Sequence, residues 1–384
     1  MMWRYAIAAV AALSVSGCEW LKMSSRDGVE PPAELTELAP TVAVTRLWER
    51  NVGDGAGRAG LRLGPAYDGE RLYVADSERG VIALDASGGG VLWTNAEVGG
   101  VSSSPGIDRD LVVAGTLEGE VIAIAPTTGA TVWKTKVTSE VIARPAVAAS
   151  MVVVRSNDGR VFGLDPADGA RRWVFDRSVP LLSLRGNAAP VIVGSTVLVP
   201  FDSGRLFAID LAQGTLLWEQ SIAQPEGRSE LERMVDIDGM AQVDGEKAFV
   251  ATFRGQVAAV ELESGRALWS RDVSAFAGVA ISGETLILTD AAGTVLALET
   301  RDGTARWSQK ALANRFLSTP VIVGQHAAVG DLEGWVHFLD LDDGALAARV
   351  RIGKDPIRGE PLVVGDVVFV QSTDGRVGAW RVGG

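Results

Sequence analysis

The sequence has one cysteine in 384 residues, Cys18, and two histidines, His326 and His337. A single cysteine permits no internal disulfide and no vicinal pair. Two histidines that fall in one short stretch leave little for histidine-based acid–base or metal chemistry. Basic residues are also in deficit: 36 Lys and Arg against 48 Asp and Glu give a net charge of −12, which disfavours nucleic acid as a partner. No stretch sustains a helical period, and the apolar run over residues 6–15 is too short to cross a bilayer as a helix. A phosphate-cradling glycine loop is missing, and Gly53-Asp54-Gly55 reads as ordinary loop glycines.

What is present is a repeat. Residues 159–173 read GRVFGLDPADGARRW, and the pattern returns at 119–133, 204–218, 255–269 and 293–307. Weaker copies start at Arg79, at Gly334 with Ala348 in the Trp slot, and at Gly375, where the chain ends within the unit. Successive copies are 40, 40, 45, 51, 38, 41 and 41 residues apart, a period that signals a repeat architecture. Counting the first residue of each copy as position zero, position two is aliphatic throughout (Val81, Val121, Val161) and position five is apolar throughout (Leu84, Ile124, Leu164). Apolar residues on both parities predict a strand buried on both faces. Position four is Ala or Gly except at Phe338, which is expected to let a neighbouring sheet approach. Gly at position ten (Gly129, Gly169, Gly214), after an acidic residue in most copies, predicts a hairpin turn with one residue at positive φ. The Trp four residues later falls on the return strand and can wedge one sheet against the next.

Short apolar runs such as 111–113, 152–154 and 197–199 precede each copy, giving four strands per unit and eight units. The expected fold class is all-β: an eight-bladed propeller of four-stranded antiparallel blades over residues 42–384. Residues 44–52 look like an orphan return strand, because Trp48 and Val52 share the spacing of Trp133/Val137 and Trp218/Ile222. The last copy lacks its return strand, so the N-terminal strand is expected to close the ring.

Function is sought where the period breaks. The intervals from each Trp slot to the next copy are 26, 26, 31, 37, 24, 27 and 27 residues. The two long intervals are consecutive and place extra residues in the inter-blade connections 176–188 and 221–241, neighbours on one face of the disc. The first contains Leu181, Leu182 and Leu184 between Arg177 and Arg185, a composition suited to an interface core with a polar rim; the alternative is that these leucines tuck back onto the disc. The second contains Asp236-Ile237-Asp238-Gly239, half of a calcium-type loop without its further acidic ligands, so no metal is expected there.

The N-terminal run ends in Val15-Ser16-Gly17-Cys18, which resembles a bacterial lipobox. That resemblance implies a signal peptide over 1–17, a diacylated Cys18 and, with Glu19 next, sorting to the outer membrane. Residues 18–41, polar with Pro31-Pro32, read as a flexible tether.

The block Ala83, Asp85, Trp93, repeated as Ala208, Asp210, Trp218 and in variant form as Gly163, Asp165, Trp173, resembles the repeat of pyrroloquinoline-quinone-type propellers over nearly the whole chain. It implies a fold and not a function. Together with the lipobox, Leu182-Ser183-Leu184-Arg185-Gly186 and the paired Asp236 and Asp238, the chain resembles the BamB family, lipoproteins of the outer-membrane β-barrel assembly machine. The resemblance implies a non-catalytic scaffold, without cofactor, whose two long loops dock the periplasmic domains of the barrel-forming subunit BamA. Carried over by motif, the contacts are Leu182, Leu184, Arg185, Asp236 and Asp238. Unfolded outer-membrane clients stand as a further partner that the sequence neither selects nor excludes. Two other classes remain: a quinone-dependent dehydrogenase, whose adjacent cysteines are missing here, and a sensor or substrate-binding propeller. His337, alternating with Val336 and Phe338 along a strand, reads as structural.

Overall fold

The computed structural model describes residues 30–57, 60–97, 99–177, 188–224, 235–275 and 277–383. Among these, thirty-two strands form eight four-stranded antiparallel sheets, each built from consecutive strands except the last. That sheet takes Leu362–Val364, Val367–Gln371 and Arg376–Val382 from the C-terminus and Val44–Asn51 from the N-terminus. Val44 pairs with Val382 and Asn51 with Arg376, so the ring closes as its surplus and missing strands require. The first strands of successive blades contact one another and surround the axis, and the fourth strands form the rim.

The core is divided among the blade interfaces. Eight hydrophobic clusters each draw on two adjacent blades; one joins Val113, Val121 and Trp133 of the second blade to Val152, Val154 and Phe162 of the third. This is why the third strand of each blade is apolar on both parities: each of its faces meets a neighbour.

The hairpin turn explains both the glycine and the tryptophan. Trp93 Nε1 donates to the Pro126 carbonyl at 2.8 Å, and Trp133 donates to Pro166 in the same way. Trp173, Trp218, Trp269 and Trp307 likewise reach carbonyls in the turn of the following blade. Gly129 has φ +73°, and a Cβ there would lie 2.6 Å from the Trp93 ring. The turn thus needs glycine twice, for its backbone angle and for the indole lying on it.

The small residue at position four has a different cause from the one expected. It lies directly across from the Trp of its own blade: Ala83 from Trp93, Ala123 from Trp133, Gly163 from Trp173, and Ala379 from Trp48. The seventh blade inverts the pair, with Phe338 across from Ala348. The last blade takes its fourth strand from the N-terminus, so among the described residues no hairpin turn of that blade faces position 348. Ala348→Trp is therefore expected to overpack the blade and cost ~1–3 kcal/mol, and adding Phe338→Ala to recover most of the loss. Urea unfolding of the two variants checks this; an unaffected single variant would show that the pair does not share one volume.

The tether expected over 18–41 takes another form in its described part. Ala33 N–H donates to the Ala313 carbonyl and Thr41 N–H to that of Ala347, at 2.9 and 2.8 Å. Arg315 and Arg349 donate to the carbonyls of Ala33 and Thr36, and Leu35 packs into the cluster between the sixth and seventh blades. Residues 30–41 are therefore a docked strap. Arg315 is itself fixed by Asp331, at 2.7 Å, which also binds His337 Nε2 at 2.9 Å. Burial holds the His337 pKa below its usual value, against the opposing effect of Asp331.

Candidate functional site

The two long connections leave from the rim strands Arg171–Asp176 and Leu216–Ser221 and return to the axial strands Val191–Val193 and Gln242–Asp244. Leu182, Leu184 and Arg185 lie outside the described residues, as does Cys18. The ends of both connections are described, and their returns bond to Arg155 and Phe201, respectively.

Arg177, where the first connection departs, stacks over the Phe175 ring at 4.3 Å, and its N–H donates to the Gly159 carbonyl. Ala188, where the connection returns, is buried, and its carbonyl accepts from Arg155 Nη1 at 3.4 Å. Arg155 Nη2 bonds Asp202 Oδ1 at 2.5 Å, with both side chains almost wholly buried, and the guanidinium lies over the Phe201 ring at 5.2 Å. The second connection returns through Val235 to Asp238. Ile237 N–H donates to the Phe201 carbonyl at 3.4 Å, and Phe253 N–H donates to the Asp236 carbonyl at 2.8 Å.

Asp236 and Asp238 are not surface loop residues. They are 0% and 4% exposed, because Ile237 between them is drawn into the cluster shared by the fourth and fifth blades and carries its neighbours inward. The resemblance carries both over as contacts, and here both are buried. Asp238 lines a cavity of about 70 Å³ near the axis with Arg62, Arg144, Arg358 and Glu360. Neither Asp238 carboxylate oxygen has a hydrogen-bond donor among the described residues. Burial raises its pKa to about 6, Arg62 and Arg155 favouring the charged form and Asp202 opposing it. Among the described residues no three His, Cys, Asp or Glu side chains converge as a metal-binding group.

Arg155 and Asp202 were not singled out from the sequence. The available signal was a departure from the repeat: the slot of Arg155, four residues before position zero, holds Ala75, Gly115, Pro200, Ala251, Thr289, Gly330 or Gln371 in the other units. A lone cation in such a slot requires a buried partner.

Eight blades closed by the first strand, with an indole lying on every hairpin turn that follows it, define a propeller of the pyrroloquinoline-quinone repeat class. A family model described as "Outer membrane protein assembly factor BamB" matches residues 43–116, 99–309 and 291–382. The chain is 42% identical to the assembly factor BamB of Pseudomonas aeruginosa, over all of both chains. It is 42% identical to that of Xanthomonas campestris, over 99% of this chain and 97% of the relative. The crystal structure of BamB from Moraxella catarrhalis superposes with a TM-score of 0.79 at 28% identity, covering 88% of this chain and all of that one. The chain belongs to the BamB family of outer membrane protein assembly factors. A quinohemoprotein alcohol dehydrogenase from Comamonas testosteroni, at 13% identity and a TM-score of 0.71 over 88% of this chain and 76% of that one, shares the fold alone. The relatives cited above are named as assembly factors and not as enzymes.

Proposed function

We propose that this chain is a non-catalytic scaffold of the outer-membrane protein assembly complex, anchored to the outer membrane and docked on the periplasmic domains of the barrel-forming subunit BamA. The observation that carries the reading is family membership from end to end: the relatives named as assembly factors match the full length, connections included. Docking is assigned to the two extended connections. Both interrupt the spacing between full copies of the repeat, they belong to consecutive blades, and their returns pack on one shared set of residues. Leu182 and Leu184 supply the apolar anchor and Arg185 a bidentate partner for a carboxylate. Asp236 and Asp238, being buried, act from beneath the surface.

Leu184→Ala and Arg185→Ala are each expected to weaken co-purification with BamA by about thirtyfold in affinity, roughly 2 kcal/mol, while melting as the parent does. The measurement is a pull-down from detergent-solubilised envelopes beside a thermal melt. Normal melting with full co-purification would remove these residues from the interface.

The anchor is assigned to Cys18. Cys18→Ser is expected to block lipid attachment and leave the precursor uncleaved; mass spectrometry finding an unmodified Cys18 in the mature protein would overturn the assignment.

A further inference from the structure

We infer that Arg155 and Asp202 are positioning residues for the docking connections, joining the returns of both to one buried ion pair; this rests on the docking reading above. Phe201-Asp202 is the link. Through its side chain Asp202 holds Arg155, which holds the Ala188 carbonyl at the return of the first connection. Through its backbone Phe201 receives the Ile237 N–H at the return of the second. A shift at either return is therefore felt at the other, across residues 33 and 47 positions away from Arg155 in sequence.

Stability alone does not account for the pair. Arg155 and Asp202 are 4% and 2% exposed, so both charges lose their hydration, and buried pairs replaced by apolar groups of similar volume are often neutral or stabilising. What an apolar replacement does not supply is direction. The planar guanidinium bonds the carboxylate through one nitrogen and the carbonyl through another, which sets the angle between two chain segments. Asp238 adds to the same field: it is close enough for Arg155 and Asp202 to act on its carboxylate. Within the pair Asp202 opposes that charge more than Arg155 favours it, and the larger favourable cation is Arg62.

The test uses the full lipoprotein. In the double variant Arg155→Met, Asp202→Leu the melting temperature is expected to stay within a few degrees of the parent. Amide exchange in peptides covering 188–193 and 235–241 is expected to rise about tenfold, and affinity for the BamA periplasmic domains to fall about tenfold. Combining the double variant with Leu184→Ala should add little further loss, because both act through one surface. Arg155→Lys covers the case in which the double variant fails to fold. Lysine can keep Asp202 but cannot also span to Ala188, so exchange should rise in 188–193 and hold in 235–241. Unchanged exchange at both returns overturns the inference. If Leu184→Ala and Arg185→Ala bind fully while exchange still rises, the docking reading fails and the positioning of the two returns stands.

Discussion

Deleting residues 42–52 is expected to destabilise the ring by more than the ~3–5 kcal/mol that truncating one buried tryptophan costs. Trp48 is buried against Phe369, with ring centroids 6.0 Å apart, and its Nε1 donates to the Ala86 carbonyl of the first blade at 2.9 Å. The strand therefore ties the last blade to the first in addition to completing the last sheet. Its loss removes Trp48 and Val52 from the cluster that they share with Leu72, Val74, Ile82, Val377 and Ala379. It also bares the ladder edge of Arg376–Val382, an unpaired strand open to other chains. Trp48→Ala, which keeps the ladder and removes the wedge, should account for most of the loss in denaturant midpoint, and the deletion alone should add concentration-dependent association. A deletion variant that melts with the parent would mean the blades hold together without closure.

The repeat made the blade legible because its determinants are local. A two-faced apolar strand, an acidic residue, a positive-φ glycine and a Trp fall within fifteen residues and describe one hairpin. Closure was legible for the same reason: the spacing of Trp48 and Val52 matched return strands elsewhere. Position four shows where local reasoning stopped. The small residue was visible, but its partner is the Trp across the hairpin, and the register has an irregularity between Ala83 and Leu84 that spacing alone does not reveal. The strap was read as a tether because Pro31-Pro32 and scattered acids carry no periodicity. Its order comes from carbonyls accepting from Arg315 and Arg349, some three hundred residues away. The burial of the aspartates in the second connection was equally illegible. Polarity suggested surface, yet Ile237 between them is an anchor, and one apolar residue flanked by two carboxylates does not announce which wins.

That competition leads to the second large effect. Asp238→Asn is expected to raise stability at pH 7.5 by about 3 kcal/mol, from a carboxyl lifted from 3.8 to about 6 and 1.36 kcal/mol per pKa unit. The sign follows from proton uptake. Between its unfolded and folded pKa values the folded state binds more protons at Asp238 than the unfolded state, so stability falls as pH rises through this range. Above about 6 the full cost of an ionised carboxylate without a donor is present; below about 4 it is gone. Parent and Asn variant should therefore converge in melting temperature as pH falls from 7.5 to 4. Glu360, whose pKa is also raised by burial, contributes the same trend to both proteins and cancels in the comparison. A carboxylate carried at such a cost on the return of the connection to which docking is assigned above points to a role that the neutral amide lacks. If the proposed docking on BamA holds, the Asn variant should accordingly be the more stable protein and the weaker partner. Parallel pH–melting curves for the two proteins would show that Asp238 is satisfied in the folded state, and equal docking would confine its charge to a local matter.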